Sequence, residues 1–488
     1  MRPFIYVLFL LTFSLLLMTS CEKNLEEEVF SELAPENFLK TDQGLISVLG
    51  AAYHKSNDMA SSGTNRQLVG VEEFCTDIHW QLGGGAHNVD GLFNDFTWDA
   101  NTYDFGWNNY WRAILNAHIV IESVEEADIS DAKKALYAAE ARFIRAITYL
   151  QFYQFFGPVP LRTSSNDPLA LPRASEEELL GFIESELLAV LPNLPNPGEE
   201  PNYGRAHKAA ARAHLCDFYM MTKQWQKAAD QAQAIMDLGI YGLYPSYPDM
   251  FRVENERNEE YIWVRVAIAD PNRATDCEFM NVCFPADFAK DPVSGLEFDP
   301  KWFNFGSNYK LRDNFVNSFE EGDERSKPIL KVYINEAGDT IQALGNDDAR
   351  SFKFWPDPNA ASQAHGNDIP YFRYAEILLY RAEALNELNG PNQESIDLIN
   401  QVRNRAKLGN IALTDFGSKE SLRDQILKER GWEFYCEGKR RHDFIRMDKF
   451  VESAQARGYT HVEEYRERYP IPQFALDSNP LLKQNEGY

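Results

Sequence analysis

Three carboxylates recur at every fourth position near the C-terminal end of the chain, and this spacing could serve chemistry. Glu429, Glu433 and Glu437 are predicted to share one helical face. One interpretation makes them metal ligands or an acid–base pair with His442. We favour the other interpretation, a structural ion-pair network, because such networks also collect clustered charges. The charged residues that follow nearby are Arg430, Arg440 and Asp443.

Other charged residues in apolar, helix-like sequence fit the same account. Glu376 and Glu383, like Glu140 and Arg145, are interpreted as members of structural ion-pair networks that serve architecture rather than chemistry. This interpretation predicts that each of them contacts a side chain of opposite charge.

Sequence motifs of enzymes and metal sites are absent. The chain has no His-Glu-x-x-His, no Gly-x-Ser-x-Gly and no phosphate-binding loop, and residues 83–85 lack the spacing of a dinucleotide loop. His79, His87, Asp77 and Asp90 could form a metal cluster, but their spacing matches no known metal motif. We interpret them as polar loop residues and predict no metal and no cofactor.

Composition excludes several classes of partner. The 488 residues are 44% hydrophobic and 25% charged, which is ordinary for a globular protein and too balanced for a disordered chain. Acidic residues outnumber basic ones by 74 to 48, so the net charge of −26 repels nucleic acids and anionic lipid headgroups. Aromatic residues reach 13%, more ring surface than the core requires.

The N-terminus predicts an exported protein. Arg2 precedes an apolar run over residues 4–17, which is too short to span a bilayer and is typical of a signal peptide. Small residues then lead into Cys21, and this resembles the lipobox of a bacterial lipoprotein, although Met18 stands where Leu is usual. We predict a signal peptide over residues 1–20 and lipidation of Cys21. The alternative is a plain secretory signal followed by an incidental cysteine.

Five cysteines remain after Cys21, an odd number that cannot form a complete disulfide framework. Cys216 and Cys436 lie in helical patterns and are predicted to be core thiols. Cys277 and Cys283 could pair across a short loop or stay free, and their spacing does not decide between the two states.

Hydrophobic periodicity predicts mostly helices, positioned around the charged residues described above. Two helical hairpins with small packing residues resemble tetratricopeptide-type pairs, but they lie far apart in the chain. The predicted helices cover residues 107–122, 136–156, 208–221, 225–238, 374–388 and 392–406.

Strand signals are few. Residues 259–267 alternate in the manner of a strand, and residues 329–334 and 340–344 flank a hairpin turn at 335–339. Residues 270–325 are irregular and rich in aromatic residues, which favours binding loops over disorder.

Several short motifs, taken in order along the chain, resemble the SusD/RagB family of outer-membrane lipoproteins, which capture nutrients for a TonB-dependent transporter. Each motif alone is weak, but their joint order is specific, and they run to the last residue. The motifs are Trp107-x-x-Tyr110-Trp111 with Ile114 and Asn116, residues 139–146 running into 156–160, residues 373–379 with 382–384, Asn400-x-x-Arg403-x-Arg405-Ala406, residues 429–430 and 437–440, Asp443-x-x-Arg446, residues 469–472, and residues 479–480 with 484–488.

The resemblance implies a mainly α fold: a scaffold of tetratricopeptide-like helix pairs with long irregular loops and a few short strands. It implies a single domain over residues 21–488, whose N-terminal half (about 21–240) and C-terminal half (about 260–488) are interwoven. It further implies lipid anchoring to the outer membrane, exposure to the cell exterior, delivery of an oligosaccharide or polysaccharide to a SusC-like transporter, and no catalysis.

Aromatic residues in two loop-rich regions supply candidate ligand contacts. Sugar rings stack their apolar C–H faces on flat aromatic side chains, and their hydroxyls need amide, carboxylate or guanidinium partners. Trp107 and Trp111 lie at helical spacing and are assigned to packing. The predicted ligand-binding candidates are Trp80, Trp98, Asn101, Phe284, Trp302, Tyr309 and Arg312.

Two other functions remain in competition with glycan capture. The same scaffold could bind a peptide, since the acidic charge would attract cationic peptides over a distance. A secreted glycosidase with paired carboxylates is the more remote alternative, because no catalytic motif supports it.

Overall fold

The structure is a computed structural model, and it describes residues 35–56, 65–81, 88–102, 104–270, 277–306, 309–360 and 362–488. The predicted signal peptide, Cys21 and His87 lie outside the described residues, so their assignments stay predictions.

Helices make up about half of the described residues and are the main regular structure, as the sequence predicts. The helix bounds in chain order are α1 Pro35–Phe38, α2 Asp42–Ser56, α3 Asn65–Glu73, α4 Asn88–Asp95, α5 Trp107–Ser123, α6 Asp131–Phe156, α7 Glu176–Val190, α8 Lys208–Met221, α9 Trp225–Met236, α10 Phe279–Cys283, α11 Asp313–Val316, α12 Tyr374–Asn389, α13 Gln393–Arg405, α14 Lys419–Phe434, α15 Arg440–Arg446, α16 Phe450–Ala456 and α17 Gln473–Ser478.

The six helices predicted from periodicity are all present as α5, α6, α8, α9, α12 and α13, with ends within a few residues of the prediction. Helix α6 differs most from the prediction, because it begins at Asp131, five residues before the predicted start. Its N-cap is Ser130, whose hydroxyl accepts a hydrogen bond from the Lys133 backbone N–H. It ends where Gly157 adopts a φ of 71°, a conformation that suits glycine. Local capping chemistry therefore fixes these boundaries.

The helices form a continuous series of packed neighbours. In order of contact, α2 packs on α5, α5 on α6, α6 on α7, α7 on α8 and α8 on α9. The series then passes from α9 to α12, which also contacts α13 and α14. The two predicted hairpins, α8–α9 and α12–α13, thus lie side by side although residues 237–373 separate them in the chain, which confirms the helix-pair scaffold.

Short antiparallel strands join the segments that the helices leave open. Strand β2 pairs with β9, β1 with β4, β5 with β8, and β3, β6 and β7 form a three-stranded sheet. The strand bounds are β1 His79–Trp80, β2 Tyr261–Arg265, β3 Phe288–Lys290, β4 Lys310–Leu311, β5 Ile329–Leu330, β6 Val332–Asn335, β7 Thr340–Gln342, β8 Arg350–Ser351 and β9 Ile369–Arg373.

The strand predictions are confirmed with two changes. The β6–β7 hairpin turns at the predicted position, but Ile329 and Leu330 leave it to form β5 against β8. Strand β2 forms inside the predicted segment, yet all five of its side chains are buried, so the sequence alternation does not mark a solvent-facing side.

One large hydrophobic cluster extends from Ala52 to Leu482 and so includes residues from both ends of the described chain. Cys216 and Cys436 belong to it, which confirms them as core thiols. Cys277 and Cys283 are buried thiols and form no disulfide with each other, which answers the open question of their pairing. Within the described residues, no helix has the length and hydropathy needed to cross a bilayer.

Candidate functional site

The carboxylates near the C-terminal end form an ion-pair network, as favoured from the sequence. Glu429 lies in α14 and is fully buried, and its two oxygens accept from Arg325 at 2.9 Å and from Arg403 at 2.5 Å. Both arginines come from distant segments of the chain. Glu429 therefore joins α14 to α13 and to the turn that carries Arg325.

Glu433, one turn further along α14, bonds to Arg405 at the end of α13 and to Arg373 at the end of β9. Burial raises the pKa of Glu433, but the charges of Arg405 and Arg373 outweigh burial and hold this pKa at about 2. The carboxylate is consequently ionised at neutral pH and already paired, which leaves no role for it as a general base.

Glu437 corrects the prediction of a shared helical face. Helix α14 ends at Phe434, so Glu437 lies in the turn that follows. It still joins the network, since its carboxylate accepts from Arg373 at 2.7 Å and from Lys353 at 2.6 Å. Tertiary packing, rather than helical spacing, brings Glu437 to the other two.

The other residues assigned to structural ion pairs are each paired, with partners that the sequence did not identify. Glu140 accepts two hydrogen bonds from Arg205, and Arg145 bonds to Glu186. His442, the alternative acid–base partner, lies 3.0 Å from Glu72 instead. The remaining contacts are Arg430 with Glu376 and Asp443, Arg446 with Glu383 and Asp443, and Arg440 with Asp77.

The sequence left His79 as a possible metal ligand or a polar loop residue. In the structure it begins β1 and contacts Glu73 and Cys436. Its Nδ1 lies 2.6 Å from a Glu73 oxygen, and its Nε2 lies 3.4 Å from the Cys436 sulfur. Glu73 also accepts from the backbone N–H groups of Cys436 and Gly438. Although these three side chains are of metal-ligand types, the Glu73 carboxylate is already saturated by N–H donors, so the trio is a hydrogen-bonded chain.

This chain of hydrogen bonds holds the strand that carries Trp80. Burial, and then the Glu73 carboxylate, raise the pKa of the Cys436 thiol well above its ordinary value, so the thiol keeps its proton and can donate to His79. Because His79 is the first residue of β1, the contact ties β1 to the segment after α14.

Trp80 lies at the surface beside β4. In the antiparallel pair, Trp80 is opposite Lys310 and His79 is opposite the buried Leu311, so Trp80 and Lys310 share the outer face. The indole N–H donates to the Asp347 carbonyl at 2.8 Å, and the Lys310 ammonium lies 5.1 Å from the ring centroid. The ring is half-buried and held in place at its edge.

Arg312 and Asp313 follow β4 and bring unused hydrogen-bonding atoms to the same region. The Arg312 backbone N–H donates to the Ile78 carbonyl, but its Nε and Nη2 atoms have no hydrogen-bond partner among the described residues. One Asp313 oxygen accepts from the Asp347 backbone N–H, and the other has no partner. We call Trp80, Lys310, Arg312, Asp313 and Asp347 the Trp80 surface.

The Trp80 surface carries both donors and acceptors. Arg312 is close enough to Arg457 that the pKa of Arg457, lowered first by burial and then by this charge, falls to about 10. The unpartnered Arg312 nitrogens can donate to a ligand oxygen, and the free Asp313 oxygen can accept from a hydroxyl.

The other candidates from the N-terminal window lie elsewhere. Trp98 is 1% exposed, and its indole N–H donates to the Tyr488 hydroxyl at 2.7 Å. Its ring packs against Tyr469 in the core. Asn101 is exposed in a turn whose neighbour, Ala100, accepts a hydrogen bond from Gln473.

The candidates from the second window are also buried, except for Arg312. Phe284 and Trp302 stack in parallel at 5.8 Å between centroids, and the Trp302 indole N–H donates to the Asp357 carbonyl. Tyr309 packs edge-on against Phe74 at 4.6 Å. These rings present no free face in this structure, and their direct contact with ligand stays a prediction.

Of the predicted set, the structure thus brings together Trp80 and Arg312. Sequence reasoning missed Lys310, Asp313 and Asp347 as members of their surface. Alternation along β4 could have indicated Lys310 beside Arg312. Asp347 lies 267 residues from Trp80 in a turn, and no sequence pattern connects the two.

Comparison with known proteins gives matches over both halves of the chain. A family model described as the SusD family matches residues 350–488. A second, described as starch-binding and associating with the outer membrane, matches residues 27–220.

Among curated proteins, the chain is 26% identical to SusD-like protein P25 of Formosa agariphila, over 96% of this chain and 97% of that protein. It is also 26% identical to the starch-binding protein SusD of Bacteroides thetaiotaomicron, over 74% of each chain. Among solved structures, a laminarin-binding SusD-like protein superposes with a TM-score of 0.78 at 23% identity, over 92% of this chain and 100% of that one. The last similarity shows a shared fold.

Proposed function

The chain belongs to the SusD/RagB family, and from that premise we propose that it is an outer-membrane protein that binds a glycan. The family description includes starch binding, and the relatives are named for starch or laminarin binding. The proposal places the glycan at the Trp80 surface.

One observation carries the location. The Trp80 surface combines a half-buried indole ring with an Arg312 side chain whose buried nitrogens have no partner and an Asp313 oxygen that is equally free. A buried donor without an acceptor costs about 1–3 kcal/mol, which a ligand oxygen would recover. A sugar offers both an apolar face for the ring and hydroxyls for the two polar groups.

The direct test is isothermal titration of a soluble form, residues 22–488, with maltoheptaose and with laminarihexaose. We expect binding to at least one of them, and we expect Trp80→Ala and Arg312→Ala each to weaken it at least tenfold. Trp225→Ala is the matched control, because Trp225 is a half-buried ring at the start of α9, away from this surface. Equal loss in the control and in Trp80→Ala would contradict the assignment.

We extend the proposal to delivery and anchoring. The protein is lipidated on Cys21, faces the cell exterior as one domain over residues 21–488, and passes its glycan to a SusC-like TonB-dependent transporter without cleaving it. Support comes from the family membership and from the sequence around Cys21.

Four measurements test this extension. Cys21→Ser should abolish incorporation of a labelled fatty acid, and protease added to intact cells should digest the native protein. A tagged chain should copurify a large β-barrel protein. Release of reducing ends from a bound oligosaccharide by the purified protein would contradict the binding-only role.

A further inference from the structure

A second groove lies on the outer side of α5, away from β1 and β4. Its floor is the α5 face that carries Trp107, Trp111 and His118, and its sides are the loop after Pro160 and the C-terminal segment from Phe474 to Leu482. The cavity volume is about 350 Å³, within the range of small-ligand sites.

The loop at one side of the groove is held rigidly by its own side chains. Arg162 donates to the backbone carbonyls of Asp167, Pro168 and Leu169. Glu122 at the end of α5 accepts from the hydroxyls of Ser164 and Ser165. The opposite side is joined to it, because the Asn479 amide donates to the Leu171 carbonyl at 2.8 Å. The groove is therefore formed before any ligand arrives.

His118 places a hydrogen-bond donor in the floor. It is 2% exposed, and its Nδ1 lies 3.1 Å from an Arg145 nitrogen. Because a guanidinium only donates, Nδ1 accepts and the ring proton must lie on Nε2. This Nε2 atom makes no hydrogen bond of ordinary distance and angle; the Arg162 carbonyl, which accepts from Tyr149, lies near enough to affect the pKa of His118.

The charge state of His118 is fixed as well. Burial, and then the Arg145 charge, lower the pKa of His118 to about 4, against the opposing effects of Glu122, Asp167 and the Arg162 backbone. At neutral pH the ring is uncharged, so it offers one N–H to a ligand.

The aromatic wall is partly open. Trp111 is half-buried, contacts Trp107 edge-on at 6.0 Å and has the Arg162 guanidinium 5.5 Å from its ring centroid. The sequence assignment of both rings to packing therefore holds for Trp107, which is buried, and only in part for Trp111. Leu115 and Leu169 at the rim are 46% and 92% exposed.

We propose that this groove is a second carbohydrate site, in which a sugar ring lies with its C–H face on Trp111 and one of its oxygens accepts from His118 Nε2. The proposal rests on the proposed function for the class of ligand, but it concerns a separate surface. An aromatic face, an exposed Asn108 amide and one buried donor match the needs of a single sugar unit. A long glycan could contact both surfaces, which raises its overall affinity.

The test uses the soluble chain with histidine labelled with ¹⁵N, and maltoheptaose and laminarihexaose as probes. We expect the His118 Nε2–H signal, assigned from its loss in His118→Phe, to shift on addition of a glycan. The shift should persist in Trp80→Ala and should disappear in Trp111→Ala. Two further variants are compared in the Trp80→Ala background. His118→Gln can accept from Arg145 and still donate into the groove, so it should retain the glycan affinity. His118→Phe can do neither, so its glycan affinity should fall at least fivefold.

The outcomes separate this inference from the proposed function. If Trp80→Ala abolishes all binding and the His118 signal never moves, the second site is overturned and the Trp80 surface stands. If the His118 signal moves while Trp80→Ala binds as the wild type does, the Trp80 surface fails and the groove stands. A shift caused by a leucine-rich peptide but by neither glycan would also overturn the carbohydrate site.

Discussion

The ion-pair network around α14 and the Trp80 surface use the same kinds of side chain for opposite purposes. In the network, Glu433 and Arg373 are fully buried and each is bonded to partners of opposite charge. At the Trp80 surface, Arg312 and Asp313 keep atoms without partners. Unpartnered atoms also occur in the network, where Glu433 Oε2 makes no hydrogen bond, but that atom lies 3.8 Å from the Arg325 guanidinium inside the core. The two regions therefore differ in exposure: the buried charges pair with one another, whereas the unpartnered atoms of Arg312 and Asp313 lie beside a half-buried ring, where we propose that they serve recognition.

Acidification should affect the network most strongly. The pKa values of Glu433 and Asp443 are about 2 in the folded chain, below their ordinary values, so their contribution is complete above about pH 5 and is lost as the pH falls towards 2. We expect the free energy of unfolding, measured with urea, to fall by several kcal/mol over this range. As a control, 1 M NaCl at pH 7 should change the free energy of unfolding little, because salt screens buried ion pairs only weakly.

Removing one arginine should break the network at neutral pH. Arg373 bonds to Glu260, Glu433 and Glu437, so Arg373→Ala leaves buried carboxylates underpaired and should cost about 3–5 kcal/mol of unfolding free energy. Lys223→Ala is the matched control, since its pair with Asp448 is exposed and should be worth about 0–1 kcal/mol. Similar losses of stability in the two variants would contradict the view that buried pairs of the network matter more than exposed pairs.

Two tryptophans sharpen the comparison on the aromatic side. Trp98→Ala removes a buried ring and should lower the unfolding free energy by about 3–5 kcal/mol, with glycan affinity of the folded protein retained. Trp80→Ala should weaken glycan binding at least tenfold, which corresponds to about 1.4 kcal/mol of binding free energy. It should leave the free energy of unfolding nearly unchanged. Titration calorimetry and urea unfolding of both variants measure the two effects, and the idea fails if Trp98→Ala alone loses binding.

Glu256 tests the intermediate case of a half-buried carboxylate with a like charge nearby. Burial, and then the Asp368 charge, raise the pKa of Glu256 to about 8. The folded state therefore holds a proton that the unfolded state loses near pH 4.5, and this stability fades as the pH rises towards 8. Glu256→Gln can still accept from the Asp368 backbone N–H. It should raise stability at pH 8 by about 1 kcal/mol relative to wild type, and an unchanged pH profile would contradict the assignment.

Most helices could be predicted from the sequence because periodicity, caps and stop signals are local. Helix α8 has the predicted bounds, and Gly157 ends α6 as expected. The ligand surface could not be predicted to the same degree, because Trp80 and Trp98 occur in similar local sequence. The exposure of Trp80 depends on its position opposite Lys310, and the burial of Trp98 depends on the C-terminal Tyr488.

The sequence by itself determined the helix pairs, the assignment of the clustered charges to structure rather than chemistry, and the family motifs that carry the resemblance. Each of these depends on residue types and spacing within short stretches of chain, whereas the partner of each charge depends on the tertiary structure. Only the tertiary structure decided which rings face solvent, that Glu437 reaches the network from a turn, and that Asp347 holds Trp80. Burial and hydrogen-bond saturation are properties of the whole packed chain, since the partners of one residue come from segments hundreds of positions away.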